Sequence, residues 1–344
     1  MSQEAALEPA NGHVSPEQQR ERGRVSREGL FEWLDPTKRR ALIALGIRVI
    51  GAALAYVMQI LLAQWMGLVE YGVFVGVWVW LLVLGGIAPL GFNISAIGML
   101  STYRASDDLD HWRGLVATSI AVTLGVGLLV AGAGWTVIHL FPSLVSQHYL
   151  MPLWLCMFCV PLLALSEMNE GISRAHGWMN TALAPTYLLR PVLLVGGAYA
   201  AVRSGATLDA RWVMSLAIMA CLITVVVQCL VLCARLRQVG GNGRFAVRAK
   251  TWVIASLPIV LAQTFELLTQ NFDMIAVSYF LGPEATGIYF AALKTIALLA
   301  FVNFAIGAAT ANRIASLYAS GAHDEFRSAL DGAINLAFWP TLLG

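Results

Sequence analysis

Amide and acidic side chains interrupt one of the longest apolar segments of this sequence at helical spacing. Gln263, Glu266, Gln270 and Asp273 all lie between residues 252 and 281. At 100° per residue on an α-helix, the four side chains fall within about 80° of one another. A polar stripe this narrow either lines a water-filled cavity or forms hydrogen bonds with a neighbouring helix, and both interpretations stay open.

Three cationic side chains also lie inside apolar segments, namely Arg48, Arg190 and Lys294. A charge at bilayer depth is costly, so it usually faces the interior of a helix bundle or a water-filled path. Pro185 and Pro191 flank Arg190 and predict a bend there, because proline leaves backbone groups unpaired. The alternatives are that Arg48 extends to the membrane interface and that Arg190 and Lys294 form structural ion pairs. We expect all three cations to point into one cavity.

Acidic residues are available as counter-charges for these cations. We expect Glu266 and Asp273 to lie within reach of them and to bind a proton or Na⁺ when a substrate takes their place. Glu170 and Arg174 are spaced i,i+4, which predicts a salt bridge between them. Glu167 lies deeper in the same segment than Glu170, so it is the third candidate for ion coupling.

Composition places the chain in the membrane. Its 344 residues are 58% hydrophobic and 12% charged, with a mean hydropathy of +0.70. Soluble domains carry about 25% charged residues, and runs of about 20 apolar residues are typical of transmembrane helices. The sequence contains no metal-ligand cluster, phosphate-binding loop, dinucleotide fingerprint or nucleophile elbow. We therefore predict a polytopic α-helical membrane protein that is not an enzyme, with no cofactor and no nucleic-acid partner.

The apolar pattern predicts nine membrane segments. They lie at about 41–66, 70–95, 114–140, 149–171, 182–202, 211–234, 252–281, 284–310 and 328–344. Alternate loops carry seventeen Lys and Arg on one side of these segments, and only Arg203 and Arg211 on the other. Cytoplasmic loops are enriched in Lys and Arg, so the N-terminus is predicted to be cytoplasmic.

The sequence matches itself without a gap when it is shifted by 215 residues. The shift aligns Gly67 with Gly282, Gly72 with Gly287, Phe74 with Tyr289, Ala96 with Ala311, Ser101 with Ser316, Tyr103 with Tyr318, and Asp110 with Glu325. Glycines and polar residues that keep register in this way predict an internal repeat. We therefore divide the chain into a basic cytoplasmic tail (1–40), a first six-helix repeat (41–250) and the start of a second repeat (251–344).

Two runs of sequence resemble a known family. QILLAQWMGLVEYGVFVGVWVWLLVLGGIAPLG, which starts at Gln59, resembles the first hairpin of Wzx-type polysaccharide flippases. DMIAVSYFLGPEATGIYFAALK, which starts at Asp273, resembles the start of their second half. These flippases belong to the MOP superfamily, with the MATE exporters and the lipid II flippases. The resemblance implies an all-α membrane protein with two parallel six-helix repeats of MATE-like type. The second repeat is expected to be incomplete here, with only helices 7, 8 and part of 9.

The resemblance implies a flippase that moves a lipid-linked oligosaccharide across the bacterial inner membrane for polysaccharide biosynthesis. Its expected partners are the lipid-linked sugar, membrane lipids, H⁺ or Na⁺, and glycan-assembly proteins. The expected substrate contacts are Arg48, Arg190, Lys294, Gln263 and Gln270, and the expected ion-coupling residues are Glu266, Asp273 and Glu167. Two alternatives remain: a MATE-like cation-coupled exporter of small molecules, and an inactive truncated fragment of either transporter. A membrane enzyme is disfavoured because the outer loops are very short.

Overall fold

A computed structural model describes residues 36–240, 243–297, 310, 317 and 323–343. Residues 1–35 of the predicted basic tail lie outside these ranges. Ala311, Ser316 and Tyr318 of the predicted repeat lie outside them as well. No β-strand occurs in the described ranges, which are almost entirely helical. This confirms the all-α prediction.

Eleven helices follow one another along the described chain. They are α1 (Pro36–Met66), α2 (Leu68–Ile87), α3 (Phe92–Ala105), α4 (Leu109–Leu140), α5 (Gln147–Ala175), α6 (Met179–Ala184), α7 (Arg190–Arg203), α8 (Ala210–Gly240), α9 (Ala249–Phe280), α10 (282–297) and α11 (His323–Leu343). A π-helix, Pro185–Leu189, joins α6 to α7, and a 3₁₀ turn, Pro142–Leu144, precedes α5.

Seven spans in the described residues are long and apolar enough to cross a membrane. They correspond to the first seven predicted segments. The eighth predicted segment is helical over 282–297, and residues 298–309 lie outside the described ranges. The ninth forms α11, which is not among the seven candidate spans.

The second predicted segment requires a correction. The sequence predicted a single segment at 70–95, whereas the structure has two helices that together reach Ala105. Helix α2 ends at Ile87, and in the turn that follows, Leu90 and Gly91 adopt positive φ angles of 49° and 70°. Gly91 faces α9, and an added Cβ there would lie in tight contact, 3.0 Å from the carbonyl oxygen of Ser256 and 3.1 Å from the backbone nitrogen of Val260. The break therefore lets α9 approach the junction of α2 and α3.

Helix α5 is the centre of the described structure, because α2, α3, α4, α6 and α8 all pack against it. Glycines allow the closest of these approaches. Gly85 of α2 lies against Leu163, and Gly171 of α5 lies against the backbone of Asn93. Small residues at helix contacts are typical of membrane bundles, where packing replaces the hydrophobic effect.

Helices α9 and α10 form a second hairpin that packs mainly along α2 and α3. At the end near Arg104, the Trp252 ring is buried and its Nε1–H donates to the Tyr103 hydroxyl at 3.0 Å. Ser256 and Ser95 share a buried hydrogen bond of 2.6 Å. At the opposite end, Gly72 lies directly against the α9–α10 turn. Contacts with α2 and α3 therefore extend from one end of the second hairpin to the other.

Candidate substrate cavity

A cavity of about 290 Å³ lies between the first hairpin, which consists of α1 and α2, the α6–α7 region and α10. Its lining combines small, aromatic and charged side chains. It consists of Gly51, Ala52, Ala55, Tyr56, Met58, Gln59, Trp78, Leu82, Thr186, Tyr187, Arg190, Pro191, Leu194, Phe290, Lys294 and Ala297. In the described part of the chain, no Asp or Glu is among these residues. The cavity is therefore suited to an anionic or neutral ligand.

The irregularity predicted at the two prolines takes the form of a π turn. The backbone N–H of Arg190 donates to the carbonyl of Pro185, five residues earlier, in place of the usual i−4 bond. Helix α1 approaches this turn at Gly51, where an added Cβ would lie 2.8 Å from the Tyr187 Cβ. Such single π turns are frequent at functional sites. This turn positions Arg190 at the start of α7, in the cavity wall.

Arg190 also faces the interior of the first six membrane spans. Besides the cavity, it lines a small void between α5 and α8 with Ser166, Cys221 and Thr224. Its guanidinium acts electrostatically on the carboxylate of Glu167. Arg190 therefore lies in the wall between the cavity and two acidic side chains of α5, since it also acts electrostatically on Glu170. These acids, rather than those of the second hairpin, are the carboxyl groups near Arg190.

Lys294 reaches the cavity from α10. Its Nζ lies 4.8 Å from the centroid of the Phe290 ring, in a cation–π contact. No carboxylate forms an ion pair with Lys294 among the described residues. The aromatic ring below the ammonium leaves its charge available to a ligand.

Arg48 is the one sequence-predicted cation that does not line the cavity. Its side chain is exposed on α1, one turn before Gly51. It acts electrostatically on Glu170 and Tyr187, at the edge of the π turn. Glu170 is buried and lies 3.7 Å from Arg174, so the predicted i,i+4 pair is present. Arg48 thus belongs to a charged group next to the cavity.

The polar stripe of α9 also lies outside the cavity lining. Glu266 is exposed and accepts a hydrogen bond of 3.1 Å from Gln270. Asp273 accepts a hydrogen bond of 2.9 Å from the hydroxyl of Tyr289 on α10. Gln263 is half-buried on the same helix. The structure therefore brings Arg190 and Lys294 together at the cavity and holds the stripe apart from them.

Sequence reasoning missed the neutral residues of the cavity. Gln59 is 8% exposed, and its Oε1 accepts a hydrogen bond of 3.0 Å from the hydroxyl of Tyr71. Its position on the face of α1 that carries Ala52 and Ala55 was the available signal. Tyr56, Trp78 and their aromatic neighbours gave no signal, since aromatic residues are common on membrane helices.

Residues 38–314 match the family model described as "Polysaccharide biosynthesis protein". The chain belongs to this family. No curated protein matches it. A solved structure with a similar fold is titled "Inward-facing conformation of a multidrug resistance MATE family transporter of the MOP superfamily". It is 15% identical, with a TM-score of 0.61, and the match covers 87% of this chain and 71% of that chain.

These findings confirm the family resemblance and the MATE-like fold. A family and a fold of transporters make this chain a multi-pass membrane transporter.

Proposed function

We propose that this protein moves a lipid-linked oligosaccharide from the cytoplasmic to the outer leaflet of the bacterial inner membrane. The observation that carries the proposal is a cavity lined by Arg190 and Lys294, without a carboxylate in its described lining, in a member of the polysaccharide biosynthesis family. The N-terminus lies in the cytoplasm in this proposal, as the seventeen-to-two distribution of loop Lys and Arg favours.

The two cavity cations suit the diphosphate that links a sugar to its lipid carrier. Arginine presents a planar fork of donors that matches phosphate oxygens, and lysine presents a compact point charge. An arginine at the bilayer centre costs about 2.5–3.5 kcal/mol on insertion scales. A phosphate-bearing substrate would offset this cost in the loaded state.

Glu167 supplies a mechanism for coupling transport to an ion. In the empty state of the proposed cycle, an ionised Glu167 would balance the charge of Arg190, which acts electrostatically on this carboxyl group. A diphosphate that binds Arg190 competes for this charge, so Glu167 then favours a proton or Na⁺. Arg48 acts electrostatically on Glu170, the acid one turn after Glu167, and so adds positive charge to the same group of residues. Release of the substrate returns Arg190 to Glu167 and expels the ion.

The polar stripe of α9 has a secondary role in this proposal. Glu266 and Asp273 are additional ion-coupling residues on the second hairpin, and Gln263 and Gln270 contact the substrate in another conformation of the transporter. Glycan-assembly proteins deliver the loaded lipid carrier. The Glu266–Gln270 and Asp273–Tyr289 hydrogen bonds are the contacts that such a conformation would replace.

An exporter of small organic cations is the alternative function. The aromatic residues of the cavity and the fold shared with a MATE transporter favour it. Arg190 and Lys294 oppose it, because fixed positive charges in the cavity wall repel a cationic substrate.

A transport assay in proteoliposomes tests the proposal. The probe is a polyprenyl diphosphate that carries one N-acetylglucosamine, and its arrival in the opposite leaflet is measured by the accessibility of the sugar to an enzyme. We expect Arg190→Ala and Lys294→Ala each to reduce the transport rate at least about tenfold, which corresponds to about 1.4 kcal/mol. Arg203→Ala, at the exposed end of the same helix as Arg190, is the control.

Full transport by both cavity variants, with normal membrane insertion, would exclude this site. Export of an organic cation by the wild-type protein, without movement of the diphosphate probe, would establish the alternative. Glu167→Gln tests the coupling step, because a side chain that cannot ionise should make transport independent of a pH gradient.

A further inference from the structure

Gln59 is held in a fixed orientation at the cavity wall. The hydroxyl of Tyr71 donates to its Oε1 at 3.0 Å, and Tyr71 is itself only 1% exposed. The amide nitrogen of Gln59 has no partner among the described residues, although Gln59 lines the cavity. An amide NH₂ carries two hydrogen-bond donors. Both are therefore available to a ligand.

Tyr71 connects this amide to one of the cavity cations. Its ring packs edge-on against Phe290, with centroids 6.3 Å apart. Phe290 in turn carries the ammonium of Lys294 over its face. A single buried tyrosine thus contacts both Gln59 on α1 and the support of Lys294 on α10. This arrangement fixes the relative position of a neutral donor and a positive charge.

A neutral amide and a cation recognise different parts of a sugar diphosphate. Charged donors bind phosphate oxygens about twice as strongly as neutral donors do, so the diphosphate is expected to select Arg190 and Lys294. The hydroxyl and carbonyl oxygens of the adjoining sugar are neutral acceptors that match an amide NH₂. The Tyr56 and Trp78 rings line the same cavity and offer apolar faces on which the C–H face of a sugar ring can rest.

We propose that Gln59 is a specificity-determining residue that binds the sugar next to the diphosphate, and that Tyr71 is its positioning residue. This inference rests on the proposed function. The Oε1 of Gln59 is already engaged by Tyr71, whereas its amide nitrogen is not among the buried polar atoms without a partner and therefore opens on the cavity. A sugar oxygen can take the place of water on these two donors without any loss of hydrogen bonds.

Binding of two lipids that differ only in the sugar tests the inference. The probes are a polyprenyl diphosphate and the same carrier with one N-acetylglucosamine, and their affinities for the full chain are measured in lipid nanodiscs. We expect the wild-type protein to prefer the glycosylated probe. Gln59→Met keeps the length of the side chain but removes the donors, so the affinity for the glycosylated probe should fall about five- to tenfold. The affinity for the sugar-free probe should stay unchanged.

The positioning role of Tyr71 requires a second variant and a control. Tyr71→Phe keeps the ring on Phe290 and removes only the hydroxyl, so it should reduce the preference for the glycosylated probe about threefold. Combined with Gln59→Met it should add nothing, because the two residues act as one unit. Tyr149→Phe removes a hydroxyl that bonds Ser278 at the same end of the bundle, away from Gln59, and serves as the control.

Several results would overturn the inference while leaving the proposed function in place. These are an equal affinity of the wild-type protein for both probes, an equal loss of both in Gln59→Met, and no change in that variant. Additive effects of Gln59→Met and Tyr71→Phe would overturn the positioning role. If the wild-type protein binds neither diphosphate, the proposed function fails and the inference falls with it.

Discussion

The two hairpins of this transporter share a sequence pattern but differ in how they are packed. In the 215-residue shift, α9 is the counterpart of α1. In the most apolar window of α1, 22% of the residues are buried, and in that of α9, 11% are buried. Among the described helices, α1 contacts α2, α6 and α7, whereas α9 contacts mainly α2 and α3. Both helices are strongly apolar, so the difference in burial follows the helices that surround each of them.

Equivalent positions of the hairpins hold different chemistry. In the 215-residue shift, the first and second hairpins pair Arg48 with Gln263, Gly51 with Glu266, Met58 with Asp273, and Phe74 with Tyr289. Gly51 allows α1 to contact the π turn, and Glu266 at the equivalent position is exposed. The repeat thus predicts where backbones lie, and the individual side chains determine what each half does.

The hairpins meet where the repeat would place a symmetry axis. A methyl group at Gly72 would overlap the carbonyl of Pro283, and one at Gly287 would lie 2.9 Å from the carbonyl of Leu68. Leu68 and Pro283 are themselves 215 residues apart, so each contact is the counterpart of the other. Reciprocal contacts of this kind are typical of a two-fold interface. They favour parallel repeats about an axis normal to the membrane, which remains a prediction.

The largest expected effect concerns the attachment of the second hairpin. Trp252 is 2% exposed and is the main large side chain that α9 inserts into the cluster around Trp112 and Leu100. Trp252→Ala should reduce the free energy of unfolding by about 3 kcal/mol, through lost packing and a lost bond to Tyr103. Thermal unfolding in detergent is the measurement. Trp212→Ala is the control, since Trp212 is 53% exposed, and an equal loss in both variants would contradict this attachment.

The contact at the predicted axis gives the second prediction. Gly72→Ala forces the first hairpin away from the α9–α10 turn and should cost about 1–3 kcal/mol, as overpacking does. Gly98→Ala on α3 meets nothing within 4 Å and should be neutral or stabilising, since alanine is the better helix former. Equal stability of the two variants in thermal unfolding would show that the hairpins do not touch at Gly72.

Local patterns in the sequence predicted the helices and the cations within the apolar segments, whereas the repeat comes from the 215-residue shift and stays a prediction. Apolar runs near 20 residues located the first seven spans, and two prolines around Arg190 located an irregular turn. The break at Pro89 was missed, because proline is tolerated within a membrane helix when neighbouring groups replace the lost hydrogen bond. The Tyr71–Gln59 bond was also unpredictable, since it depends on how two helices are rotated about their axes.

The third prediction concerns the first hairpin at the π turn. Gly51→Ala would place a methyl group within 2.9 Å of both the Cβ and the carbonyl oxygen of Tyr187, so α1 or the π turn has to move. We expect a loss of about 1–2 kcal/mol in the free energy of unfolding, with slower transport because Arg190 follows this turn. Gly46→Ala on the same helix meets nothing within 4 Å and is the control. Unchanged stability and transport in Gly51→Ala would show that the first hairpin does not pack closely against the π turn at this position.

The smallest expected effect concerns the Tyr289–Asp273 pair of the second hairpin. The test replaces this polar pair with Phe and Met, the apolar residues that the first hairpin carries at the equivalent positions. Tyr289 donates to Asp273, whereas the equivalent Phe74 and Met58 are both buried in the apolar core. Tyr289→Phe removes this donor and leaves Asp273 with the backbone N–H of Met274 as its donor, so the melting temperature should fall by about 2 °C. Adding Asp273→Met should restore it, because replacing both partners with apolar groups of similar shape is nearly neutral. Restored stability with lost ion dependence of transport would assign Asp273 to coupling. Restored stability with normal transport would make the pair structural, and a double variant less stable than Tyr289→Phe would show that the two hairpins are not interchangeable at this position.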